Sequence, residues 1–529
     1  MVQKFLHKKY FYHAHNQLHS CIKENCFMQV VWFKKDLRIE DHAPLYEAIK
    51  LGKKLLPLYI IEPEFWAQPD CSLRHYNFLL NCLVSLNHSL QKLGASLTIK
   101  VGNTIDVFKN LHENHKIKAI FSHQETGNMW TFERDKNFKR WVQENNIAWV
   151  EKQQNGVIRG KHDRNDWGKN WYKTMSLPVV ECPNKISSLH ELPDKIPSAA
   201  DLKLHKDICT STIVGGREEA LNLLNSFLGD RGKNYAAEMS SPLTAFDACS
   251  RLSPHITFGT LSLKEIFQAV ERRKKELNAL PEHKRNKWAS ALRSFSSRLR
   301  WHCHFIQKFE DEPDIEFNNM HPAYNGLREK DFNESYFTAW QNGKTGYPMI
   351  DACMRSLIHT GWINFRMRAM LISFASYHLW LHWRRPAHYL ARLFTDYEPG
   401  IHYAQIQMQS GTTGINSIRI YNPIKQGLDH DPEGKFIKKW IPELKNVPTS
   451  LIHTPWMAKN LMGGYPLPIV NEKEARQKAS GKIYEIRKHK QHKAISKNIV
   501  IKHASRKALP KRNVPSKIKM SPYQRELPI

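Results

Sequence analysis

The sequence predicts an α/β amino-terminal domain with a parallel, Rossmann-like sheet, followed by an all-α domain. Two observations support this prediction. Short apolar runs alternate with amphipathic segments from residue 28 to about residue 150, whereas helical periodicity with frequent Trp and Arg begins near residue 228. Strands that alternate with helices are typical of parallel sheets with crossover helices. A chain of 529 residues is also longer than one hydrophobic core normally serves, so two large domains are expected.

The first domain contains five apolar runs that are candidate strands, at residues 29–33, 54–61, 95–101, 118–123 and 147–152. Amphipathic segments at residues 44–52 and 73–94 lie between them and are typical of helices. No GxGxxG motif follows the first strand, which argues against an ordinary dinucleotide-binding domain.

Composition divides the chain into five regions. Residues 1–27 form an amino-terminal extension without the continuous apolar segment of a secretory signal, and Met28 is an alternative start. Residues 28–152 form the α/β domain, 153–227 a connection rich in Pro, Ser and Lys, and 228–468 the helical domain. Residues 469–529 form a basic tail. From residue 471 onward it has 17 Lys+Arg against 4 Asp+Glu, which predicts disorder or a surface helix.

The charge of the whole chain indicates the kind of partner. With 79 Lys+Arg against 50 Asp+Glu, the net charge is +29, which favours a polyanion such as nucleic acid. Nine cysteines, an odd number spread from Cys21 to Cys353, do not suit a disulfide framework and predict a reducing, cytoplasmic location. No run approaches the roughly 20 apolar residues that span a bilayer, so no membrane partner is expected.

The most informative motifs lie between residues 340 and 444. The chain reads GKTGYPMIDACMRSL, TGWINFRMRAM, FTDYEPGIHYAQ and RIYNPIKQGLDHDPEGKFIKKWIPEL in that order. Arginines and acids lie there among apolar residues, and buried charge is costly unless it is paired or binds a ligand. The ordered blocks resemble the flavin-binding domain of the photolyase and cryptochrome family. The segment VVWFKKDLRIEDH resembles the opening of that family's antenna domain, so the resemblance covers about residues 28 to 450.

The resemblance implies FAD as cofactor. The stretch NYAAEMSSPLTAFDACSRLSPHITFGTLS resembles the loop that binds the FAD diphosphate, where hydroxyls, arginine and amides at a helix start suit phosphate. The residues that match are Tyr235, Cys249, Ser250, Arg251, Leu252 and Ser253. Cys249 stands where the family usually has Thr, so this position offers a thiol in place of a hydroxyl.

The resemblance also assigns residues to the flavin ring. Arg368 and Asp396 match an arginine and an acid that pair beside the ring, and Trp362 matches a tryptophan of the same cavity. Glu398 takes the place of a second aspartate. His402 falls at the position that faces flavin N5, where repair enzymes usually carry Asn. Because histidine titrates near neutrality, it could favour either a protonated or a charged flavin radical.

The family's repair enzymes extrude a pyrimidine dimer from the duplex into a pocket above the flavin. Trp301 matches the tryptophan on which the dimer stacks. Arg298 stands where many members have Glu, Met408 where they have a second stacking Trp, and Phe365 where they have an amide. Arg298 could pair with the lesion phosphate or stack on a base. The lesion type, cyclobutane dimer or (6-4) product, is therefore left open.

Photoreduction in this family normally uses three tryptophans in line. Only the middle one is matched, by Trp383, because Ile406 and Lys330 stand at the other two places. Four aromatic residues nearby could supply another route or could serve only in packing: Trp340, Tyr377, Trp380 and Tyr403.

Two further cofactor questions concern an antenna and a metal. The segment HQETGNMWTFERD resembles the antenna-contacting segment of related proteins, and Glu125 or Glu133 is a candidate to bind a folate ring, but the antenna's presence and identity stay open. Cys21 and Cys26 lack zinc-knuckle spacing. No cysteine follows Cys353, which excludes the iron–sulfur cluster of one bacterial branch, so no metal is expected.

The resemblance implies a monomeric deoxyribodipyrimidine photolyase-like lyase. It would act on damaged DNA, double- or single-stranded, and repair pyrimidine dimers by light-driven electron transfer from reduced FAD. The alternative is a cryptochrome-type blue-light receptor that signals through flavin reduction and its basic tail. A third, more distant possibility is a nucleic-acid-binding protein without photochemistry.

Overall fold

The computed structural model describes residues 28–160, 164–281, 287–330 and 332–503. The predicted amino-terminal extension (1–27) and the end of the basic tail (504–529) lie outside the described residues.

Five strands form one parallel sheet in the amino-terminal domain. They are β1 (Met28–Phe33), β2 (Leu55–Ile61), β3 (Thr98–Val101), β4 (Ile117–His123) and β5 (Ala148–Lys152). The order β3-β2-β1-β4-β5 reverses between β1 and β4. Each strand lies on a predicted apolar run, so the predicted α/β fold class is confirmed for this domain.

Helices cover both faces of the sheet, and for this reason the central strands β1 and β2 are apolar and buried along most of their length. They are α1 (Ala43–Lys50), α2 (Pro63–Trp66), α3 (Leu73–Lys92), α4 (Thr104–His115) and α5 (Met129–Glu144). Val31 and Phe33 pack with α1 and α3 on one face. Val30 and Trp32 pack with α4 and α5 on the other.

Beyond β5, the regular secondary structure of the described residues consists of helices, and residues 177–216 form an irregular stretch between two of them. The helices are α6 (Trp167–Ser176), α7 (Arg217–Gly229), α8 (Tyr235–Glu238), α9 (Ala245–Ala248), α10 (Ser253–Thr257), α11 (Leu263–Asn278), α12 (Trp288–Asp311), α13 (Glu334–Gln341), α14 (Pro348–Thr360), α15 (Phe365–Ser373), α16 (Arg384–Leu393), α17 (Pro399–Ser410), α18 (Pro423–His430), α19 (Lys435–Trp440), α20 (Glu472–Lys488) and α21 (Lys490–His503). This region matches the predicted all-α domain.

The region predicted as a connection, residues 153–227, contains α6 and most of α7. Trp171 of α6 and Leu224 of α7 belong to the same apolar cluster as Phe295 of α12. Both helices therefore pack with the helical domain, and the predicted boundary at residue 228 falls at the carboxyl end of α7.

The close approach of α12 and α17 forms the centre of the helical domain. A Cβ at Gly400, in the first turn of α17, would lie 2.8 Å from the Cα of Ile306 in α12. Only glycine permits this approach without a shift of the backbone. The two helices therefore present their remaining faces to the same internal space.

The basic tail begins with two packed helices, as far as residue 503. Ala479 and Ile483, four residues apart in α20, are buried against Tyr324 and Tyr377 of the helical domain. Of the two outcomes predicted for the tail, this part follows the surface helix. Among all described helices, none is long and apolar enough to cross a membrane.

Candidate functional site

A cavity of about 1270 Å³ lies in the helical domain. Residues from α8, α12, α15 and α17 line it, together with the segment from Ser417 to Asn422. Ordinary small-ligand pockets measure roughly 300–1,000 Å³. This cavity therefore has room for a ligand of dinucleotide size and a second group beside it.

An ion pair between Arg368 and Asp396 forms part of the cavity wall. The Nη1 and Nη2 atoms of Arg368 donate to the two carboxylate oxygens of Asp396, each at 2.9 Å. The Nε atom donates to the carbonyl of Ile363 at 2.7 Å and fixes the guanidinium plane. Burial would raise the pKa of Asp396, but the charge and hydrogen bonds of Arg368 outweigh it and lower the pKa. The carboxylate is therefore charged at neutral pH.

Arg251 occupies a strained position at another part of the wall. Its φ of 62° is in the left-handed region, which is uncommon for a residue other than glycine and often marks a functional site. Its guanidinium lies 3.7 Å from the ring of Phe246 and 4.3 Å from the ring of Trp362. Burial lowers its pKa to about 10, so it remains a cation held between two rings.

The loop around Arg251 is held by a second arginine. Arg231 donates to the carbonyl of Cys249 at 2.7 Å and also to the carbonyl of Asp247. Burial raises the pKa of the Cys249 thiol to about 12, so Cys249 is a neutral group at the position predicted for a hydroxyl. Four predicted phosphate-loop residues line the cavity beside Arg251: Tyr235, Cys249, Ser250 and Ser253. Leu252 is fully buried and is not among the lining residues.

Glu398, the residue just before α17, and His402, within α17, both line the cavity. Burial raises the pKa of Glu398, and its Oε1 atom has no hydrogen-bond partner in the protein. The Nε2 atom of His402 lies 2.9 Å from the carbonyl of Ala387 and donates to it, because a carbonyl only accepts. Burial lowers the pKa of His402 to about 3. His402 is therefore neutral, so the expectation from the sequence that it titrates near neutrality is wrong.

The predicted dimer contacts lie on α12 and at the start of α15. Arg298 stacks on Trp301, with the guanidinium 4.2 Å from the ring, and also lies 5.8 Å from the ring of Phe365. All three line the cavity. Phe365 is 41% exposed, which places this group where the cavity opens to solvent. Met408 is half-buried and is not among the lining residues.

Trp383 is completely buried behind the cavity wall. Its Nε1 atom donates to Asn319 at 2.7 Å. Its ring lies 6.4 Å from the ring of Tyr403, which in turn lies 5.4 Å from the ring of His402. Tyr403 thus connects Trp383 to a cavity-lining side chain. Of the substitutes considered for the electron route, Tyr403 is the one that contacts Trp383.

Sequence reasoning missed several polar side chains of the cavity, among them His302, Asn364, Gln405, Gln409 and Gln426. Each has at least one buried polar atom without a partner in the protein. Gln405 and Gln409 follow His402 at intervals of three and four residues, so helical periodicity could have identified them. The sequence gives no comparable signal for His302 or Asn364.

These features fit FAD. The cavity is large enough, Arg251 offers a cation beside a loop of backbone amides, and Glu398 and Asn364 retain unpaired acceptors in the wall. Buried polar atoms normally have partners, so several unpaired atoms around one cavity indicate a ligand that supplies them. The individual site residues stay predictions.

The candidate antenna residues lie in different surroundings. Glu125 is buried and binds Arg134, whose Nη1 also donates to Glu62 at 2.8 Å. Glu133 is exposed and pairs with Lys136 at 3.0 Å. The cavity beside Glu125, at the sheet edge where the strand order reverses, measures about 80 Å³.

A buried Asp36–His42–His123 group is the one cluster of possible metal ligands within the described residues. His42 Nδ1 accepts from the amide of Leu45 at 3.1 Å, so its Nε2 carries the proton and donates to Asp36 at 2.9 Å. His123 Nδ1 lies 2.7 Å from the same carboxylate oxygen. Hydrogen bonds account for the whole group without a metal.

Together the fold and the site define a two-domain protein with a dinucleotide-sized cavity in its helical domain. Residues 29–176 match the family model described as DNA photolyase, and residues 295–485 match the FAD binding domain of DNA photolyase. The chain belongs to the photolyase/cryptochrome family.

Relatives named as photolyases and relatives named as cryptochromes both match most of the chain. The deoxyribodipyrimidine photo-lyase of Buchnera aphidicola is 26% identical, with 89% of this chain and 99% of the relative covered. That of Streptomyces griseus is 27% identical, with 84% and 97% covered. Cryptochrome DASH of Synechocystis sp. is 26% identical, with 85% and 97% covered.

Solved structures support the fold. A bacterial class III photolyase from Agrobacterium tumefaciens has a TM-score of 0.75 at 23% identity, covering 89% of this chain and 100% of that one. An archaeal photolyase from Sulfolobus tokodaii with two FAD molecules has a TM-score of 0.70 at 28% identity, covering 87% and 100%. The two-domain architecture predicted from the sequence is confirmed.

Proposed function

We propose that this protein is a deoxyribodipyrimidine photolyase-like lyase that repairs pyrimidine dimers in DNA with light and reduced FAD. The observation that carries the proposal is the composition of one cavity. Its wall contains both the Arg368–Asp396 pair predicted to hold the flavin and the Arg298–Trp301 stack predicted to meet the dimer. Relatives named deoxyribodipyrimidine photo-lyase support the same conclusion.

The protein's own residues bind and orient the two ligands. Arg251 and the amides of its loop would hold the FAD diphosphate, and Arg368, Asp396 and Glu398 would hold the ring. When bound, reduced FAD would supply the light-driven electron transfer that opens the dimer. Neutral His402 adds no charge to the cavity and leaves Nδ1 as an acceptor.

DNA would approach at the exposed side of the cavity. Trp301 offers a ring on which an extruded base can stack, and Arg298 and Phe365 lie next to it. The net charge of +29 supports attraction of either double- or single-stranded DNA through its phosphates. We propose a monomer located in the cytoplasm, which agrees with the free thiols of all seven cysteines in the described part of the chain.

A repair assay tests the proposal directly. Protein with chemically pre-reduced FAD is mixed with oligonucleotides that carry one cyclobutane dimer or one (6-4) product, and chromatography measures restored bases after blue light. We expect light-dependent repair of one lesion class and none in the dark. If neither lesion is repaired, the proposal is wrong.

A second candidate, a blue-light receptor, has one specific observation in its favour. Ile418 and Ile420 line the cavity and also pack in the apolar cluster that holds Ala479 and Ile483 of α20. A change in the cavity could therefore reach the basic tail. The receptor hypothesis predicts a different proteolysis pattern of the tail before and after illumination, and an unchanged pattern would contradict it.

A further inference from the structure

Beyond His402, one face of α17 carries two polar side chains, Gln405 and Gln409, that neither the predicted flavin contacts nor the predicted dimer contacts include. His402, Gln405 and Gln409 follow one another at intervals of three and four residues, so they lie on the same side of the helix. All three line the cavity. His402 has a hydrogen-bond partner in Ala387, whereas the two glutamines further along the helix have unpaired amide atoms.

Gln409 differs sharply from Gln407, its neighbour on the same helix. Gln409 is 2% exposed, and neither its Oε1 nor its Nε2 has a hydrogen-bond partner. Gln407 is also buried, but its Nε2 donates to the carbonyls of Ile315 and Asn318, and its Oε1 accepts from Met320. Gln407 therefore has protein hydrogen-bond partners for both ends of its amide, which is a structural role, whereas the amide of Gln409 has no partner in the protein.

A buried amide without partners destabilises the protein that carries it. In the folded protein, neither the Oε1 nor the Nε2 atom has a protein partner that replaces the hydrogen bonds it makes with water in the unfolded chain. An apolar side chain of similar size would suit the same place better if packing alone mattered. A ligand that enters the cavity and pairs with the amide would remove this cost. The three rotatable bonds before the amide allow it to turn towards such a ligand.

The amide determines which chemistry fits. A glutamine offers one acceptor and one donor side by side, which matches an imide edge where an N–H lies next to a carbonyl. Thymine and uracil carry this edge, and so does the pyrimidine part of a flavin ring. We propose that Gln409, with Gln405 beside it, binds the imide edge of a pyrimidine in the DNA lesion and so contributes to recognition of damaged DNA.

Position along the helix favours the DNA base over the flavin. Glu398 and His402 are close in sequence to Asp396, whose pair with Arg368 is predicted to hold the flavin ring. Gln409 lies seven residues beyond His402, about 10 Å further along the helix axis. The proposal rests on the proposed repair function. It supplies a polar base contact in place of the Glu and the amide that family members carry at the positions of Arg298 and Phe365.

The test compares Gln409→Leu with Gln407→Leu in the full-length, FAD-loaded protein. Dissociation constants are measured in the dark by fluorescence anisotropy. The probes are duplexes of one sequence that are undamaged, carry a thymine cyclobutane dimer, or carry a (6-4) product. The FAD-to-protein ratio and the thermal midpoint are measured on the same samples. Gln405→Leu serves as the second variant of the proposed pair.

We expect Gln409→Leu to lower the preference for the damaged duplex about tenfold to hundredfold, as loss of a two-bond contact to a base does. Its affinity for undamaged DNA and its FAD content should stay at wild-type values, and its thermal midpoint should stay the same or rise, because no hydrogen bond within the protein is lost and a buried unpaired amide is removed. Gln405→Leu should lower the preference less. Gln407→Leu should instead lower the thermal midpoint, because it leaves two carbonyls and an amide unpaired.

Each of the following results would overturn the proposal. An unchanged damaged-over-undamaged ratio in Gln409→Leu would show that the amide does not contact the lesion. Loss of FAD from Gln409→Leu would assign the amide to the flavin ring. A thermal midpoint as low as that of Gln407→Leu, with the ratio unchanged, would make the amide structural. If wild-type protein prefers neither lesion, the proposed function itself fails, and this inference fails with it.

Discussion

Substitution of Arg368 tests whether the Arg368–Asp396 ion pair only stabilises the fold or also binds the cofactor. Asp396 has a side chain that is only 5% exposed, and it accepts two hydrogen bonds of 2.9 Å from Arg368. Arg368→Ala leaves this carboxylate buried without its partner, which costs about 3–5 kcal/mol. Domain stabilities are only about 5–15 kcal/mol, so the thermal midpoint should fall clearly. FAD should be lost as well.

A double variant distinguishes the two effects. Arg368→Met combined with Asp396→Leu removes both charges, and exchange of a buried ion pair for apolar residues is often neutral for stability. We expect the thermal midpoint to recover while FAD occupancy does not. The matched control is Arg355→Ala. Arg355 pairs with Glu443 at 2.9 Å outside the cavity wall, so its loss should leave FAD occupancy unchanged.

The assay is the ratio of flavin absorbance to protein absorbance after purification, read beside thermal denaturation. Full flavin occupancy in Arg368→Ala would refute the assignment of this pair to the cofactor. Recovery of flavin in the double variant would show that only the fold had been affected. A low yield alone decides nothing, because both explanations predict it.

Three further predictions concern other parts of the molecule. Burial raises the pKa of Glu316 from 4.5 to about 7 while its carboxylate accepts from the amide of Met129 at 2.8 Å. The folded protein therefore keeps a proton on Glu316 that the unfolded chain loses, and the contribution of Glu316 to the free energy of unfolding should fall by about 3 kcal/mol between pH 4.5 and 7. Buried histidines with lowered pKa values, such as His402, contribute with the opposite sign, so the effect is read as the difference between wild type and a Glu316 variant. Glu316→Gln should abolish that fall in denaturant titrations, and an unchanged pH profile would contradict this. Trp383→Phe and Tyr403→Phe should each slow light-driven reduction of bound flavin by an external thiol, followed by absorbance, but spare repair by pre-reduced protein; wild-type photoreduction rates would refute the route. A chain ending at residue 503 should bind undamaged DNA more weakly and with a shallower salt dependence. A chain ending at residue 470 should also lose thermal stability, because it lacks the buried Ala479 and Ile483, and an unchanged midpoint would argue against that packing.

Much of the fold was predictable because the strongest constraints are local in sequence. The central strands β1 and β2 are buried on both faces, so each appears in the sequence as a nearly continuous apolar run. The tail was harder to predict. Its anchoring to the helical domain depends on Ala479 and Ile483, two apolar residues among many lysines, and average composition hides such a pattern.

The sequence was enough to predict which residue types occur at the candidate site. It was not enough to predict properties that depend on burial and on hydrogen-bond partners in the folded protein. The order of the motifs was enough to predict Arg368 and Asp396 as a pair, and the structure shows that they contact each other. The protonation of His402 could not be predicted, because its pKa follows from burial within the fold. Nor could the contrast between Gln407 and Gln409, two identical residues whose roles differ only in what lies around them.

The central claim is that one cavity holds both reduced FAD and an extruded dimer, and fluorescence of the bound reduced flavin tests it most directly. Electron transfer to a neighbouring dimer removes the excited state, so addition of a dimer-containing oligonucleotide should quench the emission, whereas the undamaged sequence should not. Trp301→Ala should weaken this quenching. If the oligonucleotide binds with a preference for damage and the emission stays unchanged, the two ligands do not share the cavity, and the account is wrong.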